Sequence, residues 1–290
     1  MRLCGAGVGL RVHHRNGGRK PPCAASQAGQ RTMLAATLAP AYAVGRNIMR
    51  GLRAGYRQLM QRIVVLNPKG GSGKTTVAIN LAACFAVRGE LPVLMDYDPQ
   101  GSAARWVRKR RPEQAPIHLV SAHERDSRTT RAFQLRIPEG ATRVIVDTAA
   151  ALDAHAMPDL VRNADKIIVP VLPSDIDIHA CSRCVANLLL VAKVKRRERR
   201  LGIIANRVRR NTLVYSSLTR FLETLDVPIV ATLRDSQNYL RGAEHGLGLH
   251  EMKAYQVGED LQQWQSLLDW LELPPLQATA AAPAPAEPVA

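Results

Sequence analysis

From Arg62 onward, short uninterrupted apolar runs alternate with segments in which apolar residues recur every three or four positions. Short apolar runs bounded by polar turns read as strands buried on both faces, and the longer 3.6-period segments read as helices. The pattern predicts strands over 62–67, 92–96, 117–120, 143–147, 166–171, 201–205 and 228–231. Helices are expected over about 74–88, 152–163, 176–195, 211–225 and 259–272. Strand and helix alternating along one chain means parallel pairing with helical crossovers. The expected fold class is therefore α/β, a mostly parallel doubly wound sheet with helices on both faces. Residues 274–290 are almost wholly Ala, Pro and small polar residues and predict a disordered tail. Before about Tyr42 no core pattern is visible, so the expected organisation is an extension over 1–59, one domain over 60–273 and the tail.

Composition adjusts this picture in two places. The net charge of +16 is uneven: residues 1–59 carry ten Lys or Arg and no Asp or Glu, which leaves 30 basic against 24 acidic residues for the rest. The first 59 residues thus read as a basic extension, disordered or dispensable. A transit peptide and a basic amphipathic helix through Ile48, Leu52, Tyr56 and Leu59 are the alternatives. No stretch approaches the ~20 uncharged apolar residues of a membrane span. Five cysteines, an odd number without a secretory pattern, predict a reducing cytoplasm.

The candidate chemistry begins at Asn67-Pro68-Lys69-Gly70-Gly71-Ser72-Gly73-Lys74-Thr75-Thr76, between the apolar run Ile63–Leu66 and the helical segment that follows. Strand, glycine-rich loop and helix in that order make a phosphate loop. Gly70, Gly71 and Gly73 let backbone N–H groups converge with Ser72 on a polyanion, and the helix N-terminus adds its positive field there. Lys74 neutralises β/γ-phosphates, Thr75 offers a hydroxyl to Mg2+, and Thr76 closes the cradle. The general pattern places Gly at position 68, which here is Pro, and a second cation, Lys69, stands beside the Gly-Gly pair.

At these residues the chain resembles the ParA/MinD family of deviant Walker ATPases, whose signature reads KGGxGKTT. The resemblance covers most of residues 60–255 and implies a P-loop NTPase fold, ATP and Mg2+ as cofactors, and an ATP-dependent homodimer. It implies that Lys69 reaches across the dimer to the partner's phosphates, placing charge where negative charge develops. Asp96-Tyr97-Asp98-Pro99-Gln100-Gly101 matches the family's first switch, making Asp98 the carboxylate that orients the attacking water. Asp147, ending the apolar strand from Arg143, matches the acid that stands near Mg2+. The family's Pro-Pro-Gly after that strand is replaced by Ala149-Ala150-Ala151, a departure that bears on the mobility of the second switch. Asn206 resembles the family's adenine contact, with a turn asparagine as the alternative. Val169 to Asp175 resembles the strand end near the dimer interface.

Two constellations pull toward other functions. Cys181 and Cys184 invite comparison with iron–sulfur scaffold ATPases of the Mrp type, yet they fall on one apolar stripe with Ile178, Val185 and Leu188, which a core explains. Lys193, Lys195, Arg196, Arg197, Arg199, Arg200, Arg207, Arg209 and Arg210 put nine cations into 18 residues against one acid, Glu198. Such a run neutralises phosphates without reading bases, so Lys195, Arg196, Arg197, Arg199 and Arg200 are candidate contacts for non-specific DNA. Arg105, Arg108, Lys109, Arg110 and Arg111 around Trp106 form a second basic patch beside the first switch. Membrane positioning of the MinD kind fits less well, because Glu259 to Leu273 holds four acids and no Lys or Arg. The expectation is a nucleoid-associated, DNA-binding ATPase that positions a plasmid, a chromosome region or a protein organelle such as a carboxysome, its hydrolysis stimulated by a cargo adaptor protein.

Overall fold

The computed structural model describes residues 60–124, 130, 134–150, 155–209 and 212–274. The expected extension, the expected tail after 274 and the start of the expected 152–163 helix lie outside them. The elements run β1 (Gln61–Val65), α1 (Lys74–Val87), β2 (Pro92–Asp96), α2 (Ser102–Arg108), β3 (His118–Ser121), β4 (Arg143–Asp147), α3 (Met157–Val161) and β5 (Lys166–Val171). They continue with α4 (Asp175–Leu190), β6 (Leu201–Val208), α5 (Leu213–Thr224), β7 (Ile229–Arg234), α6 (Gln237–Glu244) and α7 (Ala254–Glu272), with short 3-10 turns at Arg196–Glu198 and Leu249–Glu251.

The strands form one seven-stranded sheet in the order β3-β2-β4-β1-β5-β6-β7. All six pairings are parallel. The winding reverses around β1: the chain runs outward to β2 and β3, inserts β4, then continues on the other side through β5, β6 and β7. Such a reversal opens a crevice beyond the carboxyl ends of the strands. The segment after β1 lies at that point.

Pleating sorts the apolar runs onto two layers. Ile63, Val65, Leu94, Ile145, Ile168 and Ile204 face α1 and α7, with Phe85, Trp264 and Leu267 between. Val64, Leu66, Val93, Val144, Val146, Val169 and Ile203 face α4 and α5, with Cys181, Cys184, Leu188 and Leu218 between. Runs apolar at every position are what a sheet covered on both faces requires. Helix α1 has almost no polar face: 11 of its residues are buried, many of them alanine, so it packs as an internal rod under the sheet.

The expected elements are all present where residues are described, and their ends show where local chemistry won. The helix expected over 176–195 stops at Leu190. Lys193 turns left-handed (φ 54°) and brings Val194 back into the core, so the apolar spacing continues while the helix does not. Helix α7 starts at Ala254 rather than 259, because Val257 packs fully into the core and the exposed Gly258 is tolerated mid-helix. Strands β6 and β7 each run three residues beyond the expected ends, to Val208 and Arg234. Helices α2 and α6, only seven and eight residues long, are too short to show a helical apolar period and lie outside the expected elements.

Candidate functional site

The loop after β1 is held from below by three side chains. Asn67 donates to the Pro170 carbonyl at the end of β5 (2.7 Å) and accepts from the Lys69 amide (2.9 Å). Lys74 folds back under the loop, its Nζ 3.0 Å from the Lys69 carbonyl, and is itself buried. Asn206 donates from β6 to the Ser72 carbonyl (2.8 Å). Gly73 stands at the N-cap of α1 with φ 98° and no side chain covering the first turn, so the helix's free N–H groups face the crevice. Burial lowers the Lys74 pKa, while Asp147 and Asp98 work to raise it.

Asp147 ends β4 fully buried, and neither carboxylate oxygen has a hydrogen-bond partner of ordinary geometry. Burial pushes its carboxyl up to about 7; the nearby Thr75 hydroxyl opposes this, Asp96 adds to it and Lys74 opposes it. Thr148 Oγ1 and Ser72 Oγ are buried and unpartnered as well. A hydroxyl at Thr75 beside an orphaned carboxylate is the donor set of a hard, oxygen-loving cation, so these residues fit Mg2+.

Asp96 and Asp98 divide the labour of the first switch. Asp96 is fully buried and accepts from the amides of Asp98 (3.0 Å) and Ala104 (2.9 Å), stitching β2 to α2. Asp98 is half-exposed at the crevice, with Oδ1 3.0 Å from the Gln100 amide. The acid with the free face is the one the sequence singled out; the structural acid beside it was visible only as part of the motif.

Lys69 is not free. Its Nζ pairs with Asp177 Oδ2 at 2.7 Å, the lysine side chain 33% exposed and the aspartate 4%. Asp177 is a residue the sequence reading missed. Its signal was the spacing Ser174-x-x-Asp177, an N-cap serine with an acid in the first turn: Ser174 Oγ accepts from the Asp177 amide at the start of α4 and also donates to its carboxylate. Asp177 Oδ1 remains buried without a partner. Ala150, in the segment that departs from the resembled family, lies beside the loop: a Cβ on Gly70 would be 3.9 Å from that of Ala150.

Asn206 does not present its amide outward to a base. It is 5% exposed, and its two polar atoms are taken up by the Ser72 carbonyl and the Arg207 amide (3.0 Å).

The basic run divides in two: Lys193 to Arg200 lie between α4 and β6, at the amino ends of the strands and so on the opposite edge of the sheet from the loop, whereas Arg207 and Arg209 stand at the carboxyl end of β6 and both pair with Asp235 (3.2 and 3.1 Å). Lys193, Lys195, Arg196 and Arg199 are exposed there. Arg200 is not available in the same way: its guanidinium donates to the carbonyls of Ala164 (2.8 Å) and Val161 (2.9 Å) and pairs with Glu198. Arg197 belongs to the 3-10 turn, its side chain outside the described set. In the second patch Arg110 is likewise internal, forming a buried bidentate pair with Glu251 (2.7 and 2.8 Å) over the Trp106 ring. Arg105, Arg108, Lys109 and Arg111 stay exposed.

Cys181 and Cys184 are buried under α4, and burial pushes both thiols up to about 12. No group of three or more metal-ligating side chains exists among the described residues. The pair faces the core, as its apolar stripe on α4 implied. No helix among the described residues is long and apolar enough to cross a membrane.

Comparison with known proteins points the same way as the geometry. Residues 63–249 match the family model of the CobQ/CobB/MinD/ParA nucleotide binding domain. The maintenance of carboxysome distribution protein A of Gloeobacter kilaueensis is 38% identical over 128 residues, covering 44% of this chain and 56% of that protein. Its namesake from Halothiobacillus neapolitanus is 28% identical over 197 residues, covering 66% of this chain and 88% of that protein. Among solved structures, a putative plasmid partition protein of Borrelia burgdorferi bound to AMPPNP superposes with TM-score 0.56 at 15% identity, over 72% of this chain and 99% of its own. An apo McdA superposes with TM-score 0.57 at 14% identity, over 73% of this chain and 99% of its own. At such identities the superpositions bear on the fold.

Proposed function

Because the chain belongs to the CobQ/CobB/MinD/ParA nucleotide-binding family, we propose that it is an ATPase of the positioning kind, dimerising on ATP, holding non-specific DNA and moving a cargo with the help of an adaptor protein. The observation that carries the reading is the pairing of two lysines on one loop: Lys74 is folded into the cradle, and Lys69 is parked on Asp177 at its rim. One cation serves the nucleotide bound in its own subunit. The other is spare, placed to swing outward. A carboxysome-like protein organelle is the first cargo to try, since proteins named for carboxysome distribution match the chain over long stretches; a chromosome region or plasmid is next.

In the proposed reaction the loop amides and Lys74 hold the phosphate chain. Thr75 and Asp147 would hold Mg2+, which supplies charge neutralisation on the phosphate oxygens. Asp98 accepts a hydrogen bond from the attacking water and aligns it. Lys69 leaves Asp177 and stabilises charge on the phosphates of the opposing subunit, where exclusion of water strengthens it.

Light scattering with ATP, ADP and no nucleotide tests the proposal, run beside DNA sedimentation on wild type and Lys69→Ala. The wild type should be dimeric and DNA-bound with ATP alone. The variant should bind ATP, because Lys74 and the amides remain, but stay monomeric and hydrolyse slowly even with adaptor. A Lys69→Ala protein with a normal dimer and normal turnover would place the chain outside this mechanism.

A further inference from the structure

Strand β6 leaves regular pairing just where it reaches the phosphate loop. Its register against β7 slips between Ala205 and Val208, and Arg207 adopts φ 52°. Left-handed backbone is uncommon for a long side chain, and such strain gathers where it positions something. Here it parts two neighbours: Arg207 turns outward to Asp235 (3.2 Å), and Asn206 turns inward under the loop. The fit is close enough to dictate the residue opposite. A Cβ on Gly73 would lie 2.1 Å from Asn206 Nδ2.

The partner of Asn206 explains the device. A loop that binds a polyanion must turn its amide nitrogens toward the ligand and its carbonyl oxygens away. The Lys69 carbonyl is held by Lys74, and the Ser72 carbonyl is held by Asn206 at 2.8 Å. We propose that Asn206 is a positioning residue for the phosphate loop: it draws the Ser72 carbonyl toward β6 and so sets the loop's affinity for a phosphate chain, whatever base the chain carries. The inference rests on the nucleotide site proposed above.

Calorimetry with ATP, GTP and inorganic tripolyphosphate, each with Mg2+, tests it on wild type, Asn206→Ala and Asn206→Asp. The aspartate variant keeps the volume while replacing the donor by an acceptor, so a folding defect in the alanine variant does not end the test. Losing one buried hydrogen bond and leaving a carbonyl unpaired should weaken all three ligands by a common factor of about 5- to 30-fold, more for the aspartate. The ratio of ATP to GTP affinity should not change. A loss confined to ATP, with tripolyphosphate unaffected, would overturn the inference in favour of base reading. Wild-type affinities for all three ligands would overturn it too, as would a lowered binding stoichiometry with unchanged affinity, the mark of a purely structural role. A wild-type protein that binds none of the three ligands would instead remove the nucleotide site itself.

Discussion

Replacing Lys195, Arg196 and Arg199 together with alanine should cut DNA binding through charge alone, equally on any sequence. These three are exposed on the turn between α4 and β6, where Arg196 Nε also donates to the Leu225 carbonyl (3.2 Å) from an exposed side chain. If each neutralises one phosphate, the slope of log affinity against log salt should fall by about 2.7 per docked protomer, at roughly 0.9 for each contact. Between 50 and 200 mM salt that slope is worth about 40-fold, so the gap between wild type and variant should narrow by this factor as salt rises. Arg200→Ala supplies the internal control. Its guanidinium is spent on the Val161 and Ala164 carbonyls, so its removal should lower the melting temperature and leave the salt slope alone. The assay is fluorescence anisotropy of two unrelated duplexes with Mg2+ and ATP across a salt series. Equal slopes for wild type and the triple variant would refute the assignment and move the contact to Arg105, Arg108, Lys109 and Arg111.

Two further outcomes follow from the same geometry. Asp98→Ala should bind ATP and dimerise normally while hydrolysing it about 100-fold or more slowly, since a positioned carboxylate is removed from water alignment alone; normal single-turnover rates would contradict the role. His250 is half-buried, its Nδ1 enclosed, near Arg88, Glu251 and the edge of Trp264, and burial together with Arg88 lowers its pKa from 6.5 to about 4 while Glu251 opposes. The unfolded chain therefore takes up a proton near pH 6.5 that the folded chain refuses until about 4, and stability should fall by up to about 3 kcal/mol as pH drops through that window. Urea melts of wild type and His250→Phe across pH 4 to 7.5 should diverge by that amount, and parallel curves would show that another group sets the acid limb.

The sheet and the loop were legible because their signals are local and redundant. An apolar run at every position means burial on both faces, and Ile63 and Val64 do go to opposite layers. The glycines of the loop announce backbone conformations that few other residues adopt, and Gly71 and Gly73 do take positive φ. What escaped was set by tertiary contact. Asn206 and Arg207 look like a turn in sequence because two polar residues end an apolar run; the bulge that keeps them inside β6 depends on the neighbouring strand. Arg200 and Arg110 read as surface charge, yet each finds carbonyls or a carboxylate supplied by elements far along the chain. Lone cations and paired cations carry the same letter, so sequence spacing counts them together.

The site's own imbalance is the strongest physical argument that it is built around a ligand. Five of the seven buried side-chain polar atoms without a partner among the described residues belong to Ser72, Asp147, Thr148 and Asp177, all around the crevice beside α1. Native interiors leave few such atoms unpaired, and those that remain usually await an ion, a water or a substrate. Asp177 carries the argument furthest. With Lys69 in place it has one charge partner and one idle oxygen. If Lys69 swings away, a carboxylate only 4% exposed is left without its cation, a cost of about 3–5 kcal/mol. The lysine is therefore held at rest by the expense of its own departure, and only a site offering greater negative charge can draw it off. A polyphosphate on an opposing subunit has that charge and ADP, lacking the terminal phosphate, has less of it. In the proposed dimer the resting pair would make the outward swing conditional on the nucleotide, through the burial of a single aspartate.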